Sequence, residues 1–193
     1  LAVNLLKELI PKLPEYRFII YSTKTLIFEE LGFDNVVQKD IAPESPILKI
    51  IWEQLVLSKK VKQDQIKTLF NIHYTALLLL SRSVRQITLV PDLTYLRYFF
   101  QRKLIKSLYI GFALPLSLLK SDQIISISNF TKNEILRFFP FTSSQKIRVM
   151  YLGLGNRVSQ QESLEDQKGC LAKFDLIEKK YFIFVGTIEP TKN

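Results

Sequence analysis

Short runs of β-favouring apolar residues alternate along this chain with longer stretches in which apolar positions recur at helical spacing. Val3, Leu6, Leu9 and Ile10 fall on one face of a helix over residues 1–10, which Pro11 and Pro14 end before a buried strand at Arg17 to Tyr21. After the loop at Ala42 to Pro46, Ser45 stands where a helix cap would, with Pro46 at the first helical position. That helix runs through Ile50, Ile51, Trp52 and Leu55, and Trp52 is expected in the core. Further strands are predicted at 65–70, 86–90, 123–127, 146–150 and 181–185. A long basic, aromatic helix follows Asp92, and another begins after Ser128 with Thr131 and Glu134 at capping-box spacing.

Strands separated by helix-length crossovers predict a mainly parallel sheet covered on both faces, an α/β fold of Rossmann-like type. No fixed-period repeat interrupts the alternation. In such sheets ligands bind beyond the carboxyl ends of the strands. The residues there are Ser22, Thr23, Asn71, His73, Pro91, Asp92, Ser128, Asn129, Tyr151, Gly153, Thr187 and Glu189. Between Asn156 and Lys180 the composition turns polar and charged, as in a linker or surface insertion.

Composition narrows the chemistry. The 193 residues suffice for one domain and part of a second, and 47% hydrophobic residues can form a core without disulfides. One cysteine and one histidine exclude a disulfide scaffold and the usual zinc sites, so no metal or cofactor is expected. Cys170 has no histidine nearby to activate it and reads as a small apolar residue.

The net charge of +9 suits an anionic partner: a nucleotide diphosphate, a phospholipid surface or nucleic acid. No helix-turn-helix, zinc-finger or RNA-recognition signature supports the last. Residues 95–120 carry Arg97, Arg102, Lys103, Lys106 and Lys120 with no acid, interleaved with aromatic residues. Such a helix either docks on an anionic membrane or packs on the sheet with its cationic heads in water, and packing is the favoured reading. Ser107 to Leu119 is shorter than the roughly 18 residues of a membrane span, and Pro115 interrupts it. The chain starts at Leu1 without a cleavage pattern, which predicts a piece of a longer frame, cytoplasmic or peripheral on the inner membrane face.

Three segments carry a resemblance. SDQIISISNFTKNEIL at 121–136, KIRVMYLG at 146–153 and YFIFVGTIEPTKN at 181–193 resemble, in order and spacing, segments of retaining glycosyltransferases built from two facing Rossmann-like domains (GT-B), group 1 or family 4. WEQ at Trp52 to Gln54, the strand before His73, and ITLVPDLTYLRY at Ile87 to Tyr98 extend the likeness over nearly the whole chain.

The resemblance implies sugar transfer from a nucleotide-diphosphate sugar to a saccharide or lipid-linked acceptor, with retained configuration. It places residues 1–155 in the acceptor-side domain, 156–180 in a linker and 181–193 in the first strand of the donor-binding domain. Donor contacts fall on Gly186, Thr187 and Lys192, where the lysine meets the diphosphate that gains charge in the transition state. Asp92 and His73 are the catalytic candidates, and Pro91, Ser128, Asn129 and Gly153 line the cleft.

Departures from the family pattern also matter. Pro91 replaces the histidine of the family's His-Asp pair, Thr191 stands where an arginine often precedes the lysine, and Leu152 replaces the asparagine before the glycine. The family's Gly-rich first loop and its paired donor-site glutamates fall outside residues 1–193, so the chain alone is expected to be inactive. The alternative is a non-catalytic remnant or binding module derived from such an enzyme. Asp92, Ser128 and Asn129 also suit plain turn or capping roles, and His73 a packed one.

Overall fold

The computed structural model describes residues 2–22, 33–40, 45–72, 74–97, 104–153, 164–177 and 180–182. The chain divides into two compact units, Leu1–Tyr151 and Leu152–Asn193. In the first, helix α1 (Ala2–Leu9) tightens into a 3-10 turn at Ile10–Lys12, where Pro11 has no N–H to continue the α-helical ladder. Strands β1 (Phe18–Ser22) and β2 (Val36–Asp40) pair in parallel, Phe18 opposite Val36 and Ser22 opposite Asp40. Leu6 and Ile10 of the α1 region pack with Phe18, Ile20 and Val36 to close a small core over this pair.

Helix α2 (Pro46–Trp52), a wide π-helical turn (Glu53–Leu57) and α3 (Ser58–Gln63) form one continuous helical path. Ser45 occupies the cap position and Pro46 the first turn as expected, but the serine hydroxyl makes no capping bond. Trp52 departs from its expected core position. It is half-buried, with the Lys60 ammonium 5.3 Å from its ring centroid, while Ile51 and Leu55 face solvent.

Four strands make the main sheet: β3 (Thr68–Asn71), β4 (Arg85–Val90), β5 (Gln123–Ser126) and β6 (Ile147–Val149), in that spatial order and all parallel. The parallel α/β architecture expected from the alternation is the architecture observed. Helix α4 (Thr94–Arg97) and the long α5 (Leu104–Lys120) connect β4 to β5, and α6 (Asn129–Phe138) connects β5 to β6. Ile110, Leu114 and Leu118 of α5 and Ile135 of α6 bury themselves on Val90, Ile124 and Ile147 of the sheet. Each such side chain contributes about 1.5–3 kcal/mol by leaving water.

Residues 74–80 cross the core without regular structure, so their backbone groups need side-chain partners. Gln86 supplies two: its Oε1 accepts from the Leu77 N–H at 3.0 Å and its Nε2 donates to the Leu77 carbonyl at 3.0 Å. Gln54 does the same for the neighbours, accepting from Leu78 N at 2.8 Å and donating to Ala76 O at 3.2 Å. Ser117 Oγ accepts from Ala76 N at 2.8 Å. The segment opens at Tyr74, whose φ of 22° lies in the left-handed region that β-carbon sterics disfavour.

In the second unit α7 (Leu164–Lys173) lies inside the stretch expected to be a linker, and Cys170 on it is exposed rather than packed. Among the described residues no helix is long and apolar enough to cross a membrane. The strand expected at 181–185 lies outside the described residues apart from Tyr181 and Phe182, which are not in a strand.

Candidate functional site

Parallel register decides what can meet. Asn71 lies opposite Thr88, Val90 opposite Ser126, and Ser126 opposite Val149, so the carboxyl ends of β3 to β6 share one edge. Pro91, Asp92, Ser128, Asn129 and Tyr151 follow those ends and are brought together there. Ser22 ends a strand of the other sheet. Gly153 belongs to the second unit, exposed, with open space where a Cβ would point. Thr23, His73, Gly186, Thr187, Glu189 and Lys192 lie outside the described residues.

Each polar residue on this edge has a local task. Asp92 is half-buried, and its Oδ1 accepts from the Thr94 N–H at 2.8 Å, opening α4 as an Asx turn does. Its Oδ2 has no partner among the described residues. Ser128 is the N-cap of α6: its Oγ accepts from Thr131 N at 3.1 Å. The helix therefore starts three residues earlier than the capping box expected at Thr131 and Glu134, with Ser128 as a plain N-cap in extended backbone and Thr131, not a glutamate, at the position that would complete a box. Thr131 instead donates its hydroxyl to the Pro91 carbonyl at 3.1 Å, tying the end of β4 to the start of α6. Asn71 turns inward, donating weakly to Gln86 at 3.3 Å and Thr88 at 3.4 Å.

Around these ties stands a rim that the strand-end argument only partly anticipated. Arg97 Nε donates to Glu134 Oε2 at 2.8 Å, and its guanidinium lies 5.1 Å from the Phe130 ring centroid. Glu134 is buried and also has Arg137 at 3.9 Å. Phe130 remains 61% exposed and Tyr151 67%, and Tyr151 accepts a hydrogen bond from Asn129 Nδ2 at 2.7 Å. Beneath, Tyr74 meets Tyr95 edge to face at 5.6 Å. Arg97 and Tyr151 were visible in the sequence as a cation in a basic stretch and a strand-end residue. Phe130 carried no signal beyond its neighbourhood with Asn129.

The edge therefore offers flat apolar rings, a guanidinium held in place by a carboxylate, an amide–phenol pair and one free carboxylate oxygen. Such a set suits a polyhydroxyl ligand, whose C–H faces lie on rings while its hydroxyls take hydrogen bonds. Among the described residues no His, Cys, Asp and Glu group could hold a metal ion.

Two other features lie elsewhere. A cavity of about 650 Å³ sits at the amino ends of the strands, lined by Val84, Gln86, Asp122 and Lys146 from the strand starts and by residues of α5. Displaced titrations belong to the helical path, the two-stranded sheet beside it and α5. Burial pushes Glu53 up against the opposing pull of Lys49, and burial pushes Tyr109 up as well. Asp64 is held below the ordinary carboxyl value, first by a hydrogen bond from Lys39 and then by one from Tyr21.

With this geometry in view, one solved structure is informative. A glycosyltransferase from Rickettsia africae ESF-5 aligns with 92% of this chain at a TM-score of 0.55 and 16% identity. The chain shares its fold with a glycosyltransferase. It spans 46% of that protein's length, less than half. No family model matches the sequence, and no curated relative matches it.

Proposed function

We propose that this chain is the acceptor-side part of a retaining glycosyltransferase of the two-Rossmann-domain type, group 1 or family 4. The parent enzyme moves a sugar from a nucleotide-diphosphate sugar to a saccharide or lipid-linked acceptor. In this reading residues 1–155 form the acceptor domain, 156–180 the connection, and 181–193 the start of the donor domain with Gly186, Thr187 and Lys192. The observation that carries it is the parallel register that gathers Pro91, Asp92, Ser128, Asn129 and Tyr151 on one edge, together with the shared fold.

The acceptor lies against Phe130 and Tyr151, with Arg97 donating to a hydroxyl and Asp92 Oδ2 accepting from the attacking one. Asp92 Oδ1 stays with Thr94, which fixes the carboxylate while leaving the second oxygen available. His73 and Gly153 remain candidates on the same reading. Leaving-group charge is the work of Lys192 and the donor domain, because only groups placed before the transition state stabilise it without reorganisation.

A second reading has its own support. Pro91 stands where the resemblance expects a histidine, and its carbonyl is already bonded to Thr131, so it contributes no acid, base or donor. A binding module that holds saccharide without turnover fits that substitution.

The experiment is release of nucleoside diphosphate by the full-length polypeptide, screened over nucleotide-diphosphate sugars, with product configuration read by NMR. Retained configuration is expected, and residues 1–193 alone give no turnover. Asp92→Asn keeps the Oδ1 cap, so stability changes by less than about 0.5 kcal/mol, while kcat falls at least about tenfold if the carboxylate meets the acceptor. Saccharide binding without diphosphate release moves the assignment to the binding module, and absence of both overturns it.

A further inference from the structure

Helix α5 is apolar on both sides. Ser107, Ile110, Ala113, Leu114, Ser117 and Leu118 are buried against the sheet and its neighbours. Leu108, Phe112 and Leu119 leave 54%, 72% and 59% of their surface exposed, and Pro115 lies between them on the same side. At about 100° per residue these four positions fall in one narrow arc opposite the buried face. A helix packed on a sheet ordinarily turns charged or polar residues outward, yet no charged residue occurs from Ser107 to Leu119. The stripe is about 17 Å long at 1.5 Å per residue.

It ends in positive charge. Lys120, Arg82 and Lys146 line the amino-edge cavity together with Leu116 and Leu119, and Lys146 Nζ reaches the Leu119 carbonyl at 3.4 Å. The one acid in that lining, Asp122, has its Oδ2 taken by the Gln86 N–H at 2.7 Å. Leu79, which follows Leu78 of the cavity wall, is also exposed.

We propose that the outward face of α5 and the cationic cavity at its end form a docking surface for an anionic phospholipid bilayer. Charge complementarity selects this occupant. A second copy would bring a net charge of +9 against another +9, whereas lipid phosphates neutralise Arg82, Lys120 and Lys146 while Phe112, Leu108 and Leu119 enter the headgroup boundary. The helix lies along the surface and does not cross it. Packing and interfacial docking, set against each other by the sequence, thus become the inner and outer faces of one helix.

The test measures partition of the chain into sedimenting vesicles and involves no turnover, so it stands apart from the sugar-transfer reading. Binding is expected to vesicles of phosphatidylcholine with phosphatidylglycerol, and to be lost with phosphatidylcholine alone or in high salt. Phe112→Ser weakens partition about tenfold, and Arg82→Gln, Lys120→Gln and Lys146→Gln weaken it about fivefold each. Tyr16→Ser, an exposed aromatic outside α5, leaves it unchanged, and circular dichroism confirms that each variant is folded. Absence of binding at low salt, or equal binding to neutral and anionic vesicles, overturns the proposal. So does dimerisation in ultracentrifugation that Phe112→Ser abolishes without any vesicle binding, which would assign the face to a second copy.

Discussion

The two edges of the four-stranded sheet treat polar residues in opposite ways. On the carboxyl edge Pro91, Asp92, Ser128 and Thr131 are bonded to one another or to the helix starts beside them, and exposed rings stand above the ties. On the amino edge Gln86 is buried against Leu77, while Arg82, Lys120 and Lys146 border open space. The difference teaches that a polar residue at a strand end is not itself a site. The polarity of the carboxyl edge is largely satisfied internally, and what it can offer a ligand is what those bonds leave over.

The largest effect belongs to the amino edge. Gln86→Leu leaves the Leu77 N–H and carbonyl buried and unpaired, which costs about 3 kcal/mol in urea unfolding. A loss under about 1 kcal/mol would show that the 74–80 segment finds other partners and that the contrast is false. On the carboxyl edge Arg97→Met strands the buried Glu134 carboxylate with only the longer Arg137 contact. About 2 kcal/mol is expected, less than for a fully buried pair because Arg97 is partly exposed. Ser128→Ala removes the α6 cap and costs about 1 kcal/mol, with Ser128→Asn restoring most of it.

The smallest effect lies off both edges and sharpens the contrast by acting as a reference. Asp64 joins the two-stranded sheet to the end of α3 through Tyr21 and Lys39. Its folded-state pKa is lowered from 3.8, so its contribution is full above the unfolded value and is lost as pH falls through the lowered one. Stability measured against pH should therefore decline less steeply below about pH 4 in Asp64→Asn than in the parent. An unchanged slope would remove the role given to the Lys39 and Tyr21 bonds.

Much of the scaffold was legible because it rests on period and punctuation. The strands at 86–90 and 123–127 were placed within a residue or two, since their apolar runs are bounded by Pro91 and by Ser128. Strand β2 escaped: in Val36–Asp40 two valines are followed by Gln, Lys and Asp, too short and polar a run to stand out. Trp52 misled because a large aromatic residue signals burial on average, whereas here it is half-buried with the Lys60 ammonium over its ring. Gln54, Gln86 and Ser117 could not be recognised as partners of Ala76, Leu77 and Leu78, because nothing local in the sequence announces a hydrogen bond across the fold. For the site, strand ends pointed to Asp92 and Ser128 while leaving turn or capping roles open, and the bonds to Thr94 and Thr131 show that each is first a cap.

The π-helical turn at Glu53–Leu57 sets the phase between the two halves of the helical path. A helical path that closes i to i+5 bonds takes up one surplus residue relative to an ordinary helix. At the start of that turn, Gln54 faces Ala76 and Leu78; beyond its end, Val61 is fully enclosed. A chain shorter by one residue in this turn would rotate α3 by about 100° relative to α2 and could keep only one of those two alignments. The length of this turn thus ties the Gln54 bonds to the burial of Val61.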